Sequence, residues 1–180
     1  LFYLLLLGFA LRLEAQHFQI VDQTDFDNRV TVTAPIPGGG FYAAVQGGKP
    51  GLDFAHCRVL RYDSLGNELW RLDLPGWERD LAYKMLVLPD NSILVCGSNE
   101  PCNFGSFGFI VRIGADGVVQ WHYYDDSMEA LPIELYAVHT MTIDDTGKVW
   151  VYTTNYLHGF DVETGEYLVS YELPIMGFWE

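Results

Sequence analysis

One ten-residue element occurs three times in this chain, and a chain built from such an element folds as an array. The first copy is Arg61–Trp70 (RYDSLGNELW), the second Arg112–Trp121 (RIGADGVVQW) and the third Phe160–Val169 (FDVETGEYLV). Aligned on Gly66, Gly117 and Gly165, the copies stand 51 and 48 residues apart. Trp70 and Trp121 each follow their glycine by four positions, and Val169 takes that place in the third copy. A tight hairpin needs a residue that tolerates positive φ, and glycine supplies it without steric cost. Strict alternation after the glycine places the second and fourth residues on one face of the outgoing strand. A large side chain at the fourth position then packs against the neighbouring copy.

Each copy carries further strand signals upstream of its hairpin. Phe41–Gln46 follows Gly38-Gly39-Gly40, Ser92–Cys96 follows Pro89-Asp90-Asn91, and Lys148–Thr153 follows Asp144-Asp145-Thr146-Gly147. Before those turns lie Asn28–Ile36, Leu81–Leu88 and Leu135–Ile143. The result is four short strands per repeat, with repeats near residues 28–75, 79–126 and 133–174 and turn residues between strands. No segment carries a helical period over a useful length. A period of roughly 50 residues with four strands is that of a β-propeller blade. The expected fold class is therefore all-β, with about three four-stranded antiparallel blades spread over residues 16–180.

The unit resembles the blade of secreted bacterial β-propellers of the PQQ-like (quinoprotein-like) repeat superfamily. Asp161-Val162-Glu163-Thr164-Gly165 is similar to the D-x-x-T-G core of the quinoprotein docking motif, and it departs from that motif at Val169, where the family places Trp. The first two copies keep the Trp on variant turns, Asp63-Ser64-Leu65-Gly66 and Ala115-Asp116-Gly117. The resemblance covers about Asn28 to Pro174 and concerns architecture rather than activity. It implies that the loops joining second to third strands, and fourth strands to the next blade, share one face. Those loops are Gly47–Ala55, Pro75–Asp80, Ser98–Ser106 and Asp125–Pro132. They supply the candidate ligand-face residues Asp53, Trp77, Glu78, Asp80, Glu100, Asp125 and Asp126, carboxylates with aromatics that suit a cation, a sugar or a basic peptide.

Propellers usually close with about four to eight blades. Three blades leave two large apolar faces without partners, so the expectation is a fragment of a larger propeller; a small self-contained β-sheet domain is the alternative. At the other end, Leu1–Leu11 is a continuous apolar run, too short to span a bilayer. Arg12-Leu13-Glu14-Ala15 and then Gln16 follow it. This is the pattern of a signal peptide over residues 1–15, truncated at its start and cleaved after Ala15. It predicts a secreted, cell-surface or periplasmic protein with no stable membrane span.

The formal net charge of −14 repels a phosphate backbone, so nucleic acid is not an expected partner. The five histidines stand at positions 17, 56, 122, 139 and 158, with no pair at metal-ligand spacing. No G-x-S-x-G elbow and no phosphate loop is present. No catalytic, cofactor-binding or metal-binding set is therefore assigned, quinone included. Three cysteines in an exported chain suggest one bridge, and Cys96 and Cys102, flanking Gly97–Pro101, are its candidates; Cys57 reads as a small buried side chain. The sequence thus predicts a binding or structural scaffold; it names no partner, and a protein or a carbohydrate ligand is compatible with it. The alternative is part of a larger propeller enzyme, a quinoprotein-like oxidoreductase or a carbohydrate-active enzyme, whose site other blades complete.

Overall fold

The computed structural model describes residues 27–48, 55–74, 80–99, 107–124, 135 and 138–174, and among them every regular element is a β-strand. The first sheet is β1 (Asp27–Pro35), β2 (Phe41–Gly48), β3 (Ala55–Tyr62) and β4 (Glu68–Asp73). The second is β5 (Asp80–Val87), β6 (Ile93–Asn99), β7 (Phe107–Ile113) and β8 (Val119–Tyr124). The third is β9 (Thr140–Ile143), β10 (Lys148–Tyr152), β11 (Tyr156–Asp161) and β12 (Tyr167–Glu172). In each sheet the strands lie side by side in chain order and antiparallel. The protein is all-β in this region, three four-stranded antiparallel sheets in succession.

The turns form where the sequence puts short polar residues. Asp63 Oδ1 accepts from the backbone N–H groups of Leu65 and Asn67, both at 2.8 Å. Asp144 Oδ1 accepts from Thr146 and Lys148, and Asp161 Oδ1 from Glu163 and Thr164. An aspartate that satisfies the backbone two to four residues on offers the chain an alternative to a continuing ladder, and so ends one strand and starts the next.

Two main clusters make up the core between the sheets. The first cluster joins Tyr42, Ala44, Cys57 and Val59 of the first sheet to Ile93, Val95, Phe109, Val111 and Ile113 of the second. The second joins Leu94, Cys96 and Ile110 to Val149, Val151 and Phe160 of the third. The second sheet is therefore buried on both faces, which is why Ile93–Cys96 and Phe109–Val111 read as unbroken apolar runs. Each aliphatic side chain so buried contributes about 1.5–3 kcal/mol. On the outer face of the first sheet, Ala43, Val45, Leu60 and Tyr62 form a third buried cluster, with the Phe41 and Tyr62 rings stacked at 4.9 Å.

Two expectations need correction. The first strand of the third repeat is Thr140–Ile143 and not Leu135–Ile143. Leu135 and Val138 are buried without being in a strand, and the Leu135 carbonyl accepts from Gly108 N–H. A β-carbon at Gly108 would stand 2.5 Å from Val138 Cγ2, so this segment lies directly against β7. The second correction concerns the hairpin. The residues two and four after the turn glycine do not share a face, because all three hairpins carry a register shift at the same place. It falls between Arg61 and Tyr62, between Arg112 and Ile113, and between Gly159 and Phe160. The extra residue flips the alternation: Val119 joins the first core cluster and Trp121 the second.

Candidate ligand face and the seams between sheets

The meander fixes which strand ends lie together. β2 ends, β3 begins, β4 ends and β5 begins at one end of the first two sheets, where the connections 49–54 and 75–79 leave. The connections 100–106 and 125–134 leave the second sheet at the same end. The tight turns Asp63–Asn67, Gly114–Val118 and Asp161–Glu166 lie at the other end. Of the candidate ligand-face residues, Asp53, Trp77, Glu78, Glu100, Asp125 and Asp126 fall outside the described residues. Asp80 is described, and it is no surface group: it is 1% exposed, and neither carboxylate oxygen has a hydrogen-bond partner among the described residues. Burial pushes its carboxyl up to about 7. Cys96 is a buried free thiol, whereas Cys102, its expected partner in a bridge, lies outside the described residues. Cys57 is also buried and free, and burial holds both thiols up at about 12.

The repeat positions meet at the seams between sheets. Trp70 on β4 lies against Gly117 in the hairpin of the second sheet, and its Nε1–H donates to Ala115 O at 2.9 Å. Trp121 on β8 does the same one sheet further on, lying against Gly165 and donating to Val162 O at 3.0 Å. The acceptor is shared in each seam. Arg61 Nη1 donates to Ala115 O, and Arg112 Nη1 donates to Val162 O at 2.8 Å. Arg61 pairs with Trp70 across β3 and β4, and Arg112 pairs with Trp121 across β7 and β8. One arginine and one tryptophan of each sheet therefore grip a single turn carbonyl of the next.

The grip needs the glycine. Gly117 and Gly165 have φ of +86° and +72°, in the left-handed region. A β-carbon would come within 3.0 Å of the Trp70 ring at Gly117 and within 2.6 Å of the Trp121 ring at Gly165. Further bonds fix each seam. Tyr42 Oη donates to Asn91 O at 2.5 Å, across the first seam. Arg112, 3% exposed, pairs with Glu163 of the third sheet at 2.7 Å and with Asp90 of its own at 3.0 Å. Hydrogen bonds from Ser92 and from Arg112 hold the Asp90 carboxyl below the usual carboxylate range.

The third sheet departs from this plan. Gly159 and Val169 pair where the other sheets have arginine and tryptophan. The outward face there carries Trp150, whose Nε1–H donates to Asp144 Oδ2 at 2.9 Å, beside Tyr171 with ring centroids 6.0 Å apart. Tyr171 is 55% exposed.

Arg61 and Arg112 are the partners that residue-by-residue reading missed. Their signal was present, since each stands nine residues before its tryptophan. His158 was missed as well. It is buried on β11 with both ring nitrogens unpartnered, at the position that Leu60 and Val111 occupy in the other sheets. Burial moves its pKa down. Among the described residues, no three His, Cys, Asp or Glu side chains come together in a way that could hold a metal ion.

No protein-family model and no curated protein matches this chain.

Proposed function

We propose that the three sheets are successive blades of a β-propeller and that this segment serves as a binding scaffold rather than as a catalyst. The observation that carries the reading is the seam. Two consecutive sheet pairs use the same strands, the same register shift and the same grip of arginine and tryptophan on a turn carbonyl, always in one direction. A contact that repeats with one hand and one direction generates an array, and an array of twisted four-stranded sheets becomes a ring where the rotation per sheet closes. The outward face of the third sheet, with Trp150, Tyr171 and Tyr152, has the apolar character of a face that takes a further sheet. The quinoprotein-like resemblance of Asp161–Gly165 belongs to such a hairpin, a scaffold feature, and assigns no quinone.

In this reading the working surface is the end of the sheets where the longer connections leave. Connections on a rigid frame are where recognition residues accumulate. Acidic and aromatic residues there, Asp53, Trp77, Glu78, Glu100, Asp125 and Asp126, suit a carbohydrate or a basic protein segment. The apolar run Leu1–Leu11 with Ala15 supports an exported location, outside the cell or at its surface.

Glycan and basic-peptide arrays probed with the full chain test the scaffold function. A ligand whose binding is lost on Trp77→Ala or Glu100→Ala, and kept by Gly147→Ala at the opposite end, supports it. A ligand kept by both loop variants, or no ligand on either array, overturns it.

A further inference from the structure

One ionisable side chain in the first seam plays no part in the grip of Trp70 and Arg61. Asp80 opens β5 and is closed off from solvent, with neither carboxylate oxygen hydrogen-bonded among the described residues. Three strands of the first sheet pack around β5. On β3 the Cys57 thiol is buried, and after burial itself the Asp80 carboxylate is what raises it further. β2 brings Ala44 and Tyr42, and the Tyr42 hydroxyl is committed to Asn91 O. β1 brings the apolar Val32 and, in the cross-strand row of Gln46 and Cys57, the exposed Arg29. Within its own sheet Asp80 pairs with Asn99 of β6. Among the described residues no lysine, arginine or histidine pairs with the carboxylate. A neutral carboxylic acid is tolerable in such surroundings, whereas an ionised one without a partner is not.

We propose that Asp80 is a pH-operated latch between the first and second sheets. Protonated, it lets β3 and β5 close on each other; ionised, it drives the two strands apart. The latch involves two sheets only and stands whether or not the sheets belong to a ring.

The direction follows from linkage. In the closed seam the carboxyl titrates near 7, and in the open seam it returns to the ordinary carboxylate range. Between those values the closed form holds the extra proton. The open fraction therefore rises by about tenfold per pH unit from pH 5 toward 7 and levels off above. The second seam provides an internal control. Its buried thiol is Cys96, and the buried ionisable groups there are Arg112, paired with Asp90 and Glu163, and His158, whose burial disfavours acid rather than base.

The test is labelling of the full chain with 4,4′-dithiodipyridine from pH 5 to pH 8, resolved by peptide mass spectrometry. Each rate is divided by that of the same cysteine in urea, with reagent dilute enough that closing outruns labelling. The latch predicts that Cys57 protection falls by about 50-fold between pH 5 and 7 and by only about twofold more up to pH 8. Cys96 protection does not fall over that range, and Asp80→Asn makes Cys57 independent of pH. Equal losses at Cys57 and Cys96 would mean that Asp80 acts on the whole fold, which overturns the latch. So does a flat Cys57 profile in the wild-type chain, a result that needs no variant to fold.

Discussion

Replacing Gly165 by alanine addresses the seams most sharply, because two other glycines provide graded controls. Gly147, Gly117 and Gly165 all have φ between +72° and +86°, so alanine suffers about the same backbone strain at each, about 1–2 kcal/mol. Loss of glycine's freedom in the unfolded chain returns about 0.4–1 kcal/mol. At Gly147 the new methyl would meet only Val162 Cγ1, at 3.6 Å, an ordinary contact. Gly147→Ala should therefore cost about 1 kcal/mol. At Gly165 the methyl would lie 2.6 and 2.7 Å from Trp121 Cδ2 and Cγ. The indole must move, which costs about 1–3 kcal/mol in strain and about 1 kcal/mol for its bond to Val162 O. Gly165→Ala should then cost about 3–5 kcal/mol in all, with Gly117→Ala in between, since its nearest indole atom is at 3.0 Å. Urea titration followed by tryptophan fluorescence measures the series. A double-mutant cycle completes it: once Trp121→Leu has removed the ring, Gly165→Ala should cost no more than Gly147→Ala. Equal losses at all three glycines, or full additivity in the cycle, would refute the seam geometry.

Three further outcomes follow. Trp70→Ala and Trp121→Ala should each lower unfolding free energy by about 3–5 kcal/mol in the same urea assay; negligible losses in both would remove the tryptophans from the seams. His158 is neutral when folded and its pKa is lowered, so the folded state loses stability as pH falls below the ordinary histidine value, where the unfolded chain gains a proton first. His158→Leu, the residue type at position 60, should therefore raise the melting temperature more at pH 5 than at pH 8, and a uniform shift would count against a buried neutral imidazole. Finally, N-terminal sequencing of the exported protein should begin at Gln16; a mature chain that retains Leu1–Leu11 would contradict the export reading.

The repeat itself was legible because turn chemistry is local. Asp63, Asp144 and Asp161 bond to their own turns, and positive φ at Gly66, Gly117 and Gly165 needs no distant partner. That was enough to fix strand count, order and pairing. The face assignment after each glycine was not legible, because a register shift leaves no composition signal of its own. Glu68 and Trp70 share a face in a strict alternation, as do Val119 and Trp121, yet Val119 packs in the first core cluster and Trp121 in the second. The short β9 escaped for a related reason: Leu135 and Val138 are as apolar as strand residues, but they are buried by packing against Gly108 rather than by a ladder. At the candidate site, Asp80 was selected as an acidic loop residue, whereas its meaning comes from burial in the seam. Nothing in one sequence separates a solvated aspartate from a buried one. Arg61 and Arg112 resemble solvated charges in the same way until the neighbouring carbonyl is seen.

Electron microscopy of the protein made from its whole gene tests the central claim most directly. If the seams of Trp70 and Trp121 are successive blade interfaces, class averages will show a closed ring of radially arranged sheets around a central channel, with these three as neighbours. Sheets stacked in an open line, or a compact three-sheet body without a channel, would contradict the account.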